Sequence, residues 1–162
     1  MKIIQFIKNE KVFSLIFAFA FLSLLRSIII PLQGDESTYL KIADNILKGK
    51  YFLKEHPSTV TPIVPFILAF FKINAYPFLG FALNKLFNIF ITFLGLRFIY
   101  LFFKDQITDK RVIFAILSLT ISTSISINYL SSLYPEAILL MSFWGFLYYF
   151  NKPISLPNFK NV

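Results

Sequence analysis

Cysteine is absent from this chain of 162 residues, and histidine occurs once, at His56. No disulfide framework, thiol nucleophile or cysteine metal site can therefore be built from it. Glycine is scarce, with five copies, and neither a Gly-rich phosphate loop, a His-Glu-x-x-His pair nor an internal repeat occurs. The shortage of charge excludes most. Only 15% of the residues are charged, while 57% are hydrophobic and the chain holds 22 Phe and 8 Tyr. Ordinary soluble domains carry about 25% charge, so the composition predicts an all-α membrane protein. Acids are the rarer sign, and the formal net charge is +8. The bases stand at the ends of apolar runs instead of forming a stripe, which points to anionic lipids as partners and away from nucleic acid.

Hydropathy along the chain predicts about four transmembrane helices in a single membrane domain, near residues 12–32, 78–103, 112–130 and 134–150. Two short surface or re-entrant helices are expected in an external loop, 33–77, and a disordered tail over 151–162. Lys2, Lys8 and Lys11 precede the first run and argue for a cytoplasmic N-terminus. Ala18-Phe19-Ala20 is a weak signal-peptidase-like site, but apolar sequence continues well past it, as in an uncleaved anchor. Lys104, Lys110 and Arg111 mark a cytoplasmic hairpin between the second and third spans.

The stretch around which the chain is organised follows the first span. Gly34, Asp35 and Glu36 set two adjacent carboxylates ahead of an amphipathic helix with Tyr39, Ile42, Ala43, Ile46 and Leu47 on one face and Gly49 as its stop. Such a helix should lie along the bilayer surface and hold both acids at the water boundary. Asp35 there suits two roles: a helix cap, or a general base on an acceptor hydroxyl. A helix N-terminus favours the ionised carboxylate, so the base would be weak but always charged. Oxygen and imidazole donors from Asp35, Glu36, Glu55 and His56 would suit a divalent ion, but their spacing does not require one, and no cofactor is expected.

Further along, Thr61 and Pro62 read as the start of a second short helix with the stripe Ile63, Phe66, Ile67, Phe70 and Phe71. Arg26 interrupts the first span and either snorkels to the outer surface or meets a phosphate. Asn84, Asn88 and Thr92 recur every four residues beside Lys85 and make a polar stripe that faces protein or a water-filled cavity. The hydroxyl residues from Ser118 to Ser126 suit close packing against other helices. Glu136 opens the last span where the helix dipole favours an acid.

The order of these motifs resembles the N-terminal part of GT-C glycosyltransferases. Those motifs are Gly34-Asp35-Glu36 with Tyr39 and Ala43, Pro62-Ile63-Val64-Pro65 before an apolar helix, a cationic turn, and Tyr134-Pro135-Glu136. The similarity is to the protein O-mannosyltransferase and aminoarabinose-transferase type, including bacterial lipopolysaccharide-core glycosyltransferases, and it covers roughly residues 10 to 150. The resemblance implies a plasma (inner) membrane enzyme that transfers a sugar from a polyprenyl-phosphate donor to a hydroxyl on the extracytoplasmic side, with inversion. It casts Asp35 as the catalytic aspartate and Glu36 as its neighbouring acid. Arg26 and Lys85 are then candidates for the donor phosphate, and Tyr39, Asn84, Asn88 and Glu136 for the substrate groove. It also implies further helices, because family members have more spans, so this chain would be a truncated or split portion whose missing part or other membrane helices are partners. Two other readings use the same residues: a small membrane protein that carries or flips polyprenyl-linked sugar, and an assembly subunit that anchors a partner.

Overall fold

The computed structural model describes residues 35–50, 62–71, 77–122 and 135–152, with single helical positions at 14, 18, 21, 22, 25, 26, 29 and 130. Every regular element among them is helical, which agrees with the expected all-α class. We label the helices α1 (Glu36–Leu47), α2 (Ile63–Phe70), α3 (Pro77–Lys104), α4 (Lys110–Ser122) and α5 (Glu136–Phe150). The N-terminal lysines, most of the first span, Glu55, His56, Thr61, Thr123 to Ser126, Tyr134 and the tail beyond Lys152 lie outside the described residues.

The short helix after the acid pair forms where its periodicity predicts. Tyr39, Ile42 and Ala43 are buried, and Lys41 is exposed. Gly49 adopts φ 74°, a left-handed conformation open to glycine at little steric cost. Its N–H donates to the Ile46 carbonyl at 2.9 Å while Lys50 N–H donates to that of Asn45 at 2.8 Å. This pair of bonds is a Schellman motif, which satisfies carbonyls that the helix end would otherwise leave open. The apolar face of α1 packs on α2, joined by Phe81 and Ile138.

Helix α2 forms where expected, and its bulky stripe is the outer face. Ile63, Phe66 and Phe70 are exposed, whereas Val64, Pro65, Leu68 and Ala69 are buried. All eight residues of IVPFILAF are apolar, so hydrophobicity cannot choose the inner face. Size chooses it: the face holding Pro65 and Ala69 lets α1 approach, and two phenylalanines are left outside.

Helix α3 has 28 residues, about 42 Å at 1.5 Å per residue. Over Phe78–Lys104 it is, among the described residues, the one helix long and apolar enough to cross a membrane. The helices α4 and α5, with 13 and 15 residues, reach about 20 Å and 22 Å, less than the roughly 30 Å of a hydrocarbon core. As far as it is described, each is therefore shorter than the span predicted for it.

The second core lies where α3 meets these two helices, around Ile89, Leu96, Ile99, Ile113, Leu117 and Ile121. Ile138 shares a cleft with Asn84 and Asn88, Leu140 and Met141 face Gly95, and Gly145 faces Phe98. Residue numbers rise together along this contact, so α3 and α5 run parallel. Gly95 is what admits α5: a Cβ there would meet the Leu140 side chain at 3.0 Å and the Met141 backbone nitrogen at 3.1 Å.

Candidate functional site

The polar residues of α3 turn inward, as the four-residue repeat predicts. Asn84, Asn88 and Thr92 are all buried, and so is Lys85. Their partners come mostly from this chain. Asn88 Nδ2 donates to the Leu130 carbonyl at 2.7 Å, and Asn84 Nδ2 donates to the Gly80 carbonyl of its own helix at 3.0 Å. The Asn88 bond ties α3 to the segment that follows α4, so interhelical packing accounts for this residue without any helix beyond those present.

The principal electrostatic feature joins α1 to α3. Lys85 Nζ donates to Glu36 Oε1 at 2.6 Å, and the two side chains are 3% and 2% exposed. The Lys85 ammonium also lies 5.4 Å from the centre of the Phe81 ring, within cation–π range. Each charge requires the other, since an unpaired ion in so dry a place would be strongly destabilising. The α1–α2 pair meets α3 through this contact, through Phe81, and through Phe71 against Phe87, whose ring centres are 5.2 Å apart.

The two adjacent acids are thereby separated in role. Glu36 points into the protein and is bound to Lys85, while Asp35 is exposed at the start of α1. The reading of Asp35 as a helix cap does not hold. It occupies the N-cap position in a helical conformation, and its side chain makes no capping bond. Its carbonyl accepts from Tyr39 N–H at 3.0 Å. Lys85, expected to meet a donor phosphate, instead meets Glu36. Arg26, the other phosphate candidate, is exposed. Tyr39 is buried in the α1–α2 core rather than lining the cleft.

A shallow, open cleft of about 20 Å³, roughly the room one water molecule needs, lies between α2, α3 and α5. Among the described residues its walls are Val64, Ile67, Leu68, Phe87 and Ile138, with the amides of Asn84 and Asn88. Asn84 Oδ1 is buried and has no hydrogen-bond partner among the described residues. Thr92 Oγ1 and Glu136 Oε2 share that condition. Glu136 opens α5, and the sequence signal that marked it was only its place after Pro135.

Two features escaped the sequence reading. One is the Glu36–Lys85 pair, which links residues 49 positions apart. The other is Asp109, which begins α4 by accepting Arg111 N–H on Oδ1 at 2.8 Å. That cap was open to detection, as an aspartate immediately before a helical run. Comparison with family models, with characterised proteins and with solved structures returns no match to this chain.

Proposed function

We propose that the chain is part of a multi-pass membrane glycosyltransferase, in which Asp35 is the general base that activates an acceptor hydroxyl toward a polyprenyl-phosphate-linked sugar. The observation that carries this reading is the division of labour between neighbouring acids. Asp35 is exposed at the head of α1, and Glu36, one residue on, is buried against Lys85. An acid meant to take a proton from a bulky, lipid-borne substrate needs both access and a fixed position. Glu36 and Lys85 supply the position by holding α1 against the long apolar helix.

On this reading Asp35 alone is the base, and Glu36 and Lys85 are positioning residues. Asp35 accepts the proton of the acceptor hydroxyl as its oxygen attacks the anomeric carbon, and the bond to the lipid phosphate breaks on the opposite face with inversion. Arg26 remains the candidate cation for the departing phosphate. The membrane placement draws on α3, on the exposed phenylalanines of α2, and on Lys104, Lys110, Arg111 and Lys152 at the end of α3, the start of α4 and the end of α5, which this reading assigns to the cytoplasmic side. No nucleotide sugar, metal or nucleic acid enters the scheme.

The test is sugar transfer in native membranes from a polyprenyl-phosphate donor. Asp35→Asn should lower the rate by about 10²–10⁴-fold, the usual contribution of a positioned general base, while membrane insertion stays normal. Unchanged transfer in that variant would remove the catalytic reading and leave a carrier or an assembly subunit.

A further inference from the structure

Opposite its buried polar side, α3 presents an exposed one. Leu79, Leu86, Phe90, Arg97 and Lys104 are all exposed. Their spacings of seven and four residues stack them within a narrow arc of the helix, at about 100° per residue. Hydrocarbon suits the first three. Arg97 is of another kind, because an ionised group on the outward face of a spanning helix needs a counter-charge or water. It makes no hydrogen bond or ion pair among the described residues, and the buried acid beside α3, Glu36, is taken up by Lys85.

Depth identifies the counter-charge. With α3 centred in a hydrocarbon core of about 30 Å, roughly residues 81–100 lie inside it at 1.5 Å per residue. Tyr100 then stands at the edge of the core, the level at which tyrosine and tryptophan gather in membrane helices. Arg97 begins about 5 Å inside that edge and Lys104 about 5 Å outside it. A snorkelling arginine covers such a distance, and Lys104 Nζ already lies over the Tyr100 ring, 5.7 Å from its centre. Both cations thus converge on the level of the lipid phosphates. The Tyr148 hydroxyl and, after it, Asp105 raise the Lys152 pKa, so the acid beside Lys104 already serves the end of α5. A carboxylate on another helix would have to be brought to this depth, whereas every lipid of the leaflet carries its phosphate there. We propose that Arg97 and Lys104 clasp the headgroup phosphate of an anionic phospholipid in the leaflet beside the C-terminal end of α3, with an acyl chain lying along Phe90 and Leu86. Two cations exceed the charge of one phosphate, so a lipid of net negative charge is preferred to a zwitterionic one. The site rests on α3 crossing the bilayer, as the proposed function does, and it holds whether or not the chain transfers sugar.

Fluorescence quenching of the full chain in mixed vesicles tests this. Phe90→Trp combined with Trp144→Phe puts the only tryptophan on the exposed side of α3, beside the acyl chain of the bound lipid. Vesicles of phosphatidylcholine and phosphatidylglycerol, with one or the other brominated in mid-chain, give the relative affinity of the two lipids at that face. Phosphatidylglycerol should be preferred by roughly fivefold per cation. Arg97→Gln and Lys104→Gln should each remove one such factor, and Arg97→Lys, which keeps the charge, should retain most of it. Lys110→Gln with Arg111→Gln, in the turn beyond, should change the preference little. Equal affinity for the two lipids, or a preference that depends on the turn and not on Arg97, would overturn the proposal. So would a failure of both lipids to quench, since another helix would then cover this face. Native mass spectrometry of the unaltered chain and of Arg97→Gln, counting retained phosphatidylglycerol, makes the same comparison without the reporter. Asp35→Asn should leave the lipid preference unchanged even where it abolishes transfer, whereas equal lipid affinity with transfer intact would sink this site only.

Discussion

At the scale of residues, the buried pair and the buried orphans behave in opposite ways. Glu36 and Lys85 meet at 2.6 Å in a dry interior, so removing one leaves the other's charge buried without this contact. Lys85→Met should therefore destabilise the protein by about 3–5 kcal/mol, and the double variant Glu36→Leu with Lys85→Met should recover most of that loss. Thermal unfolding in detergent measures both, and a double variant no better than the single one would show that the pair is not an isolated charge balance. Thr92 is the reverse case. Its hydroxyl is buried with no partner among the described residues, so Thr92→Val, nearly the same shape, should be neutral or stabilising by up to about 1 kcal/mol. A clear loss in the same unfolding measurement would mean that Thr92 has a partner when the protein is in its membrane. The inward turn of Asn84, Asn88 and Thr92 was legible from their spacing alone, because polar groups on an apolar helix have one direction in which to hide. The partner of Lys85 was not, because a salt bridge across 49 residues leaves no local trace.

At the scale of elements, helix existence was easier to read than helix facing. The face of α1 follows from alternating polarity, and its end follows from Gly49. In α2 every residue is apolar, so the period carries no direction, and the bulky stripe lies outside. Between α3 and α5 the deciding feature is again small size, at Gly95 and Gly145. Gly95→Ala gains helix propensity of about 1 kcal/mol but sets a methyl 3.1 Å from the Met141 backbone nitrogen, which cannot swing aside as the Leu140 side chain can. The net effect should be a loss of about 1–2 kcal/mol, in the range of overpacked cores. Gly145→Ala faces the edge of the Phe98 ring at 3.2 Å, a softer obstacle, and should lose less. Reversal of that order in detergent unfolding would show that the α3–α5 contact is looser than the two glycines imply. Of the hydroxyl residues expected to pack closely against other helices, Thr120 donates from Oγ1 to the Ile116 carbonyl of its own helix at 2.9 Å, and Thr123, Ser124 and Ser126 lie outside the described residues. A side chain that can satisfy itself locally gives little purchase to a neighbour.

At the scale of the whole molecule, the long helix sets the frame and the others are arranged along it. The α1–α2 pair sits at the first half of α3, and α5 runs parallel beside its second half. A parallel return needs a crossing back, which α4 begins from Lys110. The ends of α3 and α5 carry Lys104 over Tyr100 at 5.7 Å and Lys152 over Tyr148 at 4.3 Å. The Tyr148 hydroxyl bonded to Lys152 raises that ammonium above its ordinary pKa. Orientation is directly testable, because the chain has no cysteine. An impermeant maleimide added to intact cells should label Ser37→Cys, next to the acid pair, and spare Thr108→Cys in the cationic turn. Labelling of Thr108→Cys from outside would invert the topology and place Asp35 on the wrong side for a lipid-borne sugar.

Local pattern by itself determined that this is a helical, strongly hydrophobic chain, where α1 and α3 lie, and which side of α3 is turned inward. Those properties depend on composition, length and period, and each acts within a few turns of helix. Tertiary structure decided which acid is buried and which is exposed, which face of α2 touches protein, and that α3 and α5 lie side by side through Gly95. The reason is the solvent. In water, hydrophobicity tells a helix which face is inside; against lipid, inside and outside are equally apolar, and only shape and paired charge remain to choose.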